Sequence, residues 1–508
     1  MPVSATSSGT IADTQGTPKT WRAVTTAPFS AAAPVLLTDG TVMIQDESTE
    51  HWWQLTPNAM GDYAAGTWKQ LGSMPAGYSP LYTASGVLPD GRVIVQGGEY
   101  LAGQSVWTTQ GAIYDPVADS WKAVQPPAGW QTIGDASGMV VEDGRWMLTS
   151  CCDSTKAQAF LDLSNMTWSP TGAGKLDIHD EESWVQLYDG TILTVDCNNK
   201  NDLTAAESYD PKTGMWTPAG HTPVQLADLD PDGSGSHEDG PNVLRHDGTV
   251  LALGAKGHNA LYDPSTKTWT AAPDFPNSGG QLDVADGPAA VMPNGNVLAP
   301  ASPGVFNPPV TYFEWDGTSF TTTAAPPAAS GQTTYQLNLM VLPTGEILMT
   351  DFSSDVEIYT PTPGHADNTV PVITQAPQLM TAALQVDTTA NNSPADTFVT
   401  ADGITAVSNL FLGRTYKLSV NRMNGITQGA YYGDDEATYT NYPIVRLTFQ
   451  DSGHVQYLRT HAHSDRQIGP DKHGTTLFDV PATTERGLAT LESVANGIAS
   501  PPILVNVK

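Results

Sequence analysis

The chain reads as an all-β protein, a seven-bladed β-propeller followed by an Ig-like β-sandwich. Three observations predict this. A hairpin phrase recurs seven times at intervals of about fifty residues. An aromatic strand marker recurs seven times between the hairpins. Helical periodicity is almost absent, and past Pro361 the repeated phrase stops while strand-like patterns continue to the end of the chain.

In chain order, residues 1–18 are small and polar and read as a flexible N-terminal segment. The hairpin phrase is an apolar run, a turn and a second apolar run. It appears as LLTDGTVMI at Asp39, VLPDGRVIV at Asp90, VVEDGRWML at Asp143 and QLYDGTILTV at Asp189. It continues as VLRHDGTVLAL at Asp247, VMPNGNVLA at Asn294 and VLPTGEILM at Thr344. Asp-Gly and Asn-Gly tolerate positive φ, so each copy is expected to be a hairpin with a two-residue turn. The aromatic marker stands at Trp21, Trp68, Trp121, Trp168, Trp216, Trp269 and Phe320. A third strand, as in GAIYDP, AESYDP and NALYDP, precedes most copies. Four strands per unit make a kelch-type blade. Trp21 precedes the first hairpin, and the last unit ends at VEIYTP without an aromatic strand. The N-terminal strand is therefore expected to complete the last blade, closing a propeller over residues 19–362 and removing its open edges. A Pro/Gly-rich joint follows, and residues 370–508 contain TYKLSVNRM, PIVRLTFQ, TTLFDVP and PPILVNV, the strands of a sandwich.

Composition narrows the function classes. The 508 residues carry a net charge of -31, which argues against nucleic-acid or anionic-membrane partners because both need a basic face. No run of eighteen apolar residues occurs, so no transmembrane helix is expected. The polar start is expected to be that of a secreted, extracellular or periplasmic chain after signal removal. Cys151 and Cys197 lie eight residues after their turn Asp in adjacent blades. A structural disulfide, with Cys152–Cys197 as the leading pair, or buried thiols are expected, and a vicinal Cys151–Cys152 bridge is the rarer arrangement.

These blades, with a sandwich containing HVQYLRTHAHSDRQIGP, resemble the galactose oxidase and glyoxal oxidase family of copper radical oxidases. The resemblance covers nearly the whole chain. It implies that Thr460-His461, with Asp465-Arg466-Gln467 after it, lies on a loop reaching the propeller axis, with His461 as a copper ligand. The remaining family positions fall eight residues before each turn residue. There Tyr335 matches the family tyrosine, but Gln336 replaces a histidine ligand, Glu181 the cross-linked tyrosine and Asp135 its cysteine. The radical half of the chemistry is therefore expected to be missing.

The same register holds Ala31, Tyr82, Asp135, Glu181, Asp239, Asp286 and Gln336, with Asp180, Glu182, Glu238, Asp283, His179 and His237 flanking it. Innermost strands converge on a propeller axis, so four carboxylates there predict a divalent-metal site at one mouth. The expected ligands are Asp135, Glu181, Asp239, Asp286 and His461, and calcium, manganese, zinc and copper are the candidate ions. Glu181, Tyr335 and Asp135 are the candidate catalytic groups. Tyr82, Gln336, His463, His179 and His237 are candidate substrate contacts. A second candidate, for calcium, is the loop with Asp228, Asp230 and Asp232. The expected function is a metal-dependent, non-radical enzyme acting on a saccharide or small polar substrate. The alternatives are a non-catalytic carbohydrate- or cation-binding kelch protein and a divergent copper oxidase.

Overall fold

The computed structural model describes residues 19–152, 154–276, 280–366, 368–380, 396–400, 403–428 and 438–508. The predicted flexible segment 1–18 lies outside them.

Seven four-stranded antiparallel sheets occupy the chain from Thr20 to Thr360. Five are built from consecutive strands, and the second is interrupted by the strands Tyr100–Leu101 and Gln104–Ser105, which with Pro80–Leu81 form an added three-stranded sheet. In the remaining sheet the N-terminal strand Thr20–Ala23 pairs with Glu357–Thr360, Thr20 opposite Thr360, as the fourth strand beside Asn338–Val341 and Ile347–Thr350. Innermost strands of most neighbouring sheets touch, and Ala31–Leu36 of the first contacts Asn338–Val341 of the last, the arrangement of a β-propeller. Every residue of Ala31–Leu36 and Asn338–Val341 is buried, which suits unbroken apolar runs rather than alternating ones.

The turns differ from the expectation in one respect. Leu37 N donates to Thr41 O at 2.7 Å and Gly40 N to Leu37 O at 2.9 Å, which makes a three-residue loop rather than a two-residue one. Only the glycine takes positive φ, 77° at Gly40. The aspartate contributes through its side chain instead. Asp39 Oδ1 accepts the Thr41 amide at 3.0 Å and its hydroxyl at 2.6 Å, holding the turn closed.

The aromatic marker also has a physical role. Each outer-strand indole donates to the preceding blade: Trp68 Nε1 to Thr25 O at 2.6 Å, Trp121 to Gly72 O at 2.9 Å, Trp168 to Gln125 O at 2.8 Å. Trp21, Trp216 and Trp269 repeat the contact to Ala324, Gln158 and Ala219. Phe320 has no N–H and packs on Phe275 and Trp315 instead.

The C-terminal region is two packed sheets. One contains Val372–Leu379, Arg414–Asn421, His473–Val480 and Thr460–His461, and the other includes Gly403–Leu410, Ile444–Phe449, Gly487–Ala495 and Ile503–Val507. Tyr416, Leu418 and Phe478 of the first pack with Val445, Leu447, Leu491 and Val505 of the second, the face-to-face core of a sandwich.

This sandwich sits on the turn end of the propeller. Tyr442 Oη donates to Leu36 O at 2.6 Å, Arg459 Nη2 to Asp90 O at 2.9 Å and Tyr188 Oη to Ile426 O at 2.7 Å. The buried Arg466 guanidinium donates to Val87 O at 2.9 Å and lies 4.9 Å over the Tyr442 ring. The starts of the innermost strands, where the acidic register lies, are at the opposite end.

Candidate functional site

At the strand-start end, Asp135 precedes the innermost strand Gly138–Val140 and meets the end of its neighbour. Asp135 Oδ1 lies 2.7 Å from Cys151 Sγ and 3.2 Å from Cys152 Sγ, and Asp180 Oδ1 lies 3.0 Å from Cys151 Sγ. The ligand atoms of these four residues all fall within 4.8 Å of one another. Burial, then Glu99 and Asp180, push the Asp135 carboxyl up to about 8. Asp180 is raised by burial as well, against the pull of nearby His237. Neither carboxylate forms an ion pair with Lys or Arg among the described residues. Gly134, at φ 69°, lets the backbone pass against both sulfurs, where a Cβ would stand 3.4 Å from each.

Cys151 and Cys152 form the vicinal disulfide, and Cys197 is a buried free thiol whose Sγ contacts Glu181 O at 3.0 Å. The expected Cys152–Cys197 bridge is therefore corrected. Adjacency along the chain brings Cys151 and Cys152 together, while Cys197 turns toward the Glu181 carbonyl.

Aromatic rings border this cluster. Tyr82 lies 6.0 Å from Tyr100 and 6.1 Å from Phe352, and Phe306 meets Tyr335 edge-on at 5.3 Å. Glu99 first, then burial, with smaller contributions from Asp135 and Tyr335, raise the Tyr100 phenol, so these groups share one neighbourhood. Backbone strain gathers here too: Tyr82, Cys152, Glu181, His237, Asp286, Phe306 and Phe352 all hold positive φ, between 47° and 70°. Sequence reading missed Glu99 and Tyr100, which come from the added hairpin rather than from the repeated register.

The predicted ring does not form one metal cluster. Asp135 meets Asp180 and the cysteines at ligand spacing, and the clusters of that kind among the described residues do not contain Glu181, Asp239 or Asp286. Glu181 and Asp286 are half-buried. Asp239 is buried, and desolvation, only partly offset by the Gly240 amide, pushes its carboxyl up to about 8. The Asp286 amide donates to Asp239 O at 2.8 Å, joining two blades through the backbone.

Other assignments are corrected by position. His461 pairs through Nε2 with Asp479 Oδ1 at 3.3 Å, and its neighbour Thr460 N donates to Thr38 O in the first turn. It therefore sits at the turn end, one innermost strand of six residues, about 20 Å, away from the ring. His463 is buried at the same end, its amide on Pro89 O and its Nδ1 3.0 Å from Thr476 Oγ1, and is not a substrate contact at the acidic mouth. Gln336 turns back on its own short helix, Oε1 accepting the Thr333 amide at 3.1 Å. His237 stays near Asp180, with Nδ1 2.5 Å from Asn198 Oδ1.

His179 is buried against Trp184 and Trp216, and burial followed by Lys175 hold its imidazole well below its ordinary value, so it stays neutral and out of reach of substrate. It borders a second acidic cluster. Buried Lys175 Nζ donates to Asp177, to Glu182 at 2.6 Å and to Glu207 at 2.6 Å, with Asp196 at 3.6 Å. The lysine is the cation of this cluster, and its role is to tie the loop before the strand Val185–Gln186 to the next two strands. One Lys within GKLDIHDEE was the available signal.

The candidate calcium loop is also corrected. Asp228 Oδ1 pairs with Lys256 Nζ at 2.6 Å, its Oδ2 accepts the Ser236 amide at 3.0 Å, and Asp232 Oδ1 accepts the Ser234 amide at 3.0 Å. The three acids serve Lys256 and loop serines and do not converge on one point.

No family model matches the chain. An 80-residue stretch, 15% of the chain, is 32% identical to Kelch-like protein terF of Aspergillus terreus (strain NIH 2624 / FGSC A1156), and the match spans 17% of that protein. Among solved structures, a fungal alcohol oxidase of the AA5 family in complex with copper superposes with TM-score 0.51 at 12% identity, over 97% of this chain and 100% of that one. YjhT gives TM-score 0.40 at 15% identity, over 59% and 99%. At the level of fold, the chain is a β-propeller protein similar to that alcohol oxidase, with one short stretch similar to a kelch-like protein.

Proposed function

We propose that the chain is a secreted protein in which a seven-bladed propeller, residues 19–362, is capped by an Ig-like sandwich, residues 370–508. The strand-start mouth is a divalent-metal-assisted site for a saccharide or other small polyol. One observation carries this: Asp135, Asp180 and Glu99 crowd together with no Lys or Arg paired to Asp135 or Asp180 among the described residues. Carboxylates so placed must take up protons or share a cation. Asp135, at about 8, is protonated at neutral pH until a cation displaces that proton.

The rings of Tyr82, Tyr100, Tyr335 and Phe352 offer apolar faces to the C–H surface of a sugar, while the carboxylates accept its hydroxyls. A bound divalent ion would polarise a substrate oxygen. Glu181 or Tyr335 would then move the proton, Glu181 being held at φ 62° beside the cluster. Secretion is supported by the disulfide, a bond that persists in oxidising compartments.

The copper centre implied by the resemblance does not fit these residues. Gln336 caps its helix where a ligand histidine would stand, Glu181 and Asp135 cannot form the cysteine-tyrosine link, and His461 is committed to Asp479 at the other end. No step is assigned to copper.

The test is a screen of chelator-stripped protein against sugars and polyols with calcium, manganese, zinc or copper restored singly. Turnover that one metal restores and Glu181→Gln abolishes supports the proposal. Sugar binding unchanged by chelator and without turnover would leave a binding protein, and peroxide formation from galactose with copper would overturn the non-radical reading.

A further inference from the structure

We infer that the Cys151–Cys152 pair is a redox switch that changes which metal the mouth can hold. The inference deepens the metal-site reading above, with which it shares Asp135.

Carboxylate oxygens face both sulfurs. Asp135 Oδ1 touches each of them and Asp180 Oδ1 touches one, at 2.7, 3.2 and 3.0 Å. Joined as a disulfide, the sulfurs carry no hydrogen, so neither carboxylate receives a donor from them, and both remain hard oxygen ligands only. A dithiol reductant delivers two electrons and two protons: its own S–S bond forms, the Cys151–Cys152 bond breaks, and two thiols remain. Each thiol then has a carboxyl oxygen in contact as a hydrogen-bond acceptor. A thiophilic divalent ion displaces those two protons and meets two sulfurs and two carboxylate oxygens, the number and softness of donors that zinc takes.

The surroundings favour a functional pair over a merely structural one. A bridge between neighbours closes no loop of the chain and so adds almost nothing to fold stability. Cys152 is also held at φ 65°, in the left-handed region that a non-glycine residue occupies only under constraint. Cys151 is buried while Cys152 and Asp135 are half-buried, so one cysteine is enclosed and the other is partly accessible to a reductant. Cys197 contacts the Glu181 carbonyl and stands outside the pair.

The experiment titrates the full chain with cobalt(II) as the zinc surrogate, before and after reduction by a dithiol, and reads thiolate-to-cobalt charge-transfer absorption. Manganese binding to the oxidised protein is measured alongside. The expected result is a thiolate band at one metal per chain only after reduction, lost in Cys152→Ser and weakened at least ~10-fold in affinity by Asp135→Asn. Circular dichroism of both variants establishes that they fold, and alkylation with mass analysis counts the free thiols. Absence of the band in reduced, folded protein overturns the switch. If manganese still binds the oxidised form in that case, the metal-site reading stands without it. A band after reduction, with no cation bound in the oxidised form, supports the switch and removes the metal site proposed for the resting enzyme.

Discussion

His461 Nε2 lies 3.3 Å from Asp479 Oδ1, within the sandwich and on the propeller's turn end, not over its acidic mouth. Burial alone would raise the Asp479 carboxyl. Hydrogen bonds from His461 and Thr415 hold it below its ordinary value. His461→Ala is therefore expected to leave metal content and sugar binding unchanged and to lower stability by less than about 1 kcal/mol, the range of a half-exposed pair. Elemental analysis and chemical denaturation of the variant check both halves. Loss of metal would restore His461 as a ligand.

Stability should fall as pH rises from about 4 to about 8. Desolvation leads in raising Asp135 and Asp239 to about 8, and Asp196, Asp283 and Glu357 to about 7. Each binds its proton more tightly folded than unfolded, so the folded state holds more protons throughout that window. The stabilisation is complete below the unfolded carboxyl value and is lost as pH climbs through the folded one. Unfolding at pH 5 and pH 8 measures this, and Asp239→Asn should flatten the slope by an amount on the order of 1 to 3 kcal/mol. Greater stability at pH 8 in metal-free buffer would contradict it.

Much of the fold is legible because a repeat states its plan several times. Asp39, Asp90 and Asp143 each mark a turn that the structure contains, and Trp21 is recognisable as a closing strand because Tyr359 lacks an outer partner in sequence. The candidate site is legible only where register and proximity coincide. Asp135 lies at the mouth, and Cys151 and Asp180 are within reach of the repeat's offsets, but Glu99 comes from an inserted hairpin that no fixed offset reports. His461 misleads because a loop motif shows which residues travel together, not how far the loop reaches. Lys175 escapes notice because a single charge in an acidic stretch looks like a solvated residue until the fold closes around it.

The indole bonds between blades predict a small, repeatable effect. Trp121→Phe keeps the ring beside Trp52 and Tyr114 but removes the donor to Gly72 O. A loss of about 1 kcal/mol is expected, with no change in blade packing. Comparable losses for Trp68→Phe and Trp168→Phe would establish the staple as a property of the repeat. Unchanged stability in all three would reduce it to a packing preference.

The propeller and sandwich should unfold in one calorimetric transition. Tyr442, Arg466, Gln428 and Ile426 bond the turn ends of several blades, and Gln186 N donates to Gln428 Oε1 at 2.8 Å between buried residues. A chain truncated after Thr362 would lose the partners of Leu36 O, Val87 O and Gln186 N, each worth about 0.5–1.5 kcal/mol net, together with the burial of these turn ends. Truncated protein is expected to be insoluble or to melt well below the full chain. A propeller with an unaltered melting temperature would refute the dependence.

Lys175→Met tests the buried cluster of the fourth blade. In the native protein burial would lower the lysine, but Glu182, Asp177, Asp196 and Glu207 together outweigh it and hold the ammonium charged. The same lysine offsets only part of the burial that raises Glu182 and Asp196. Removing it leaves four carboxyl groups around an apolar side chain and no cation among them, a loss of about 3–5 kcal/mol. The surviving carboxyls must then protonate to remain inside, so their folded values rise further and the variant's deficit should widen from pH 5 to pH 8. Urea denaturation of wild type and variant at both pH values reads this directly. Should the variant fail to fold at pH 8, recovery of a cooperative transition at pH 5 still distinguishes unpaired charge from lost packing. Equal losses at the two pH values would mean that Lys175 acts through the packing of its side chain rather than through its charge.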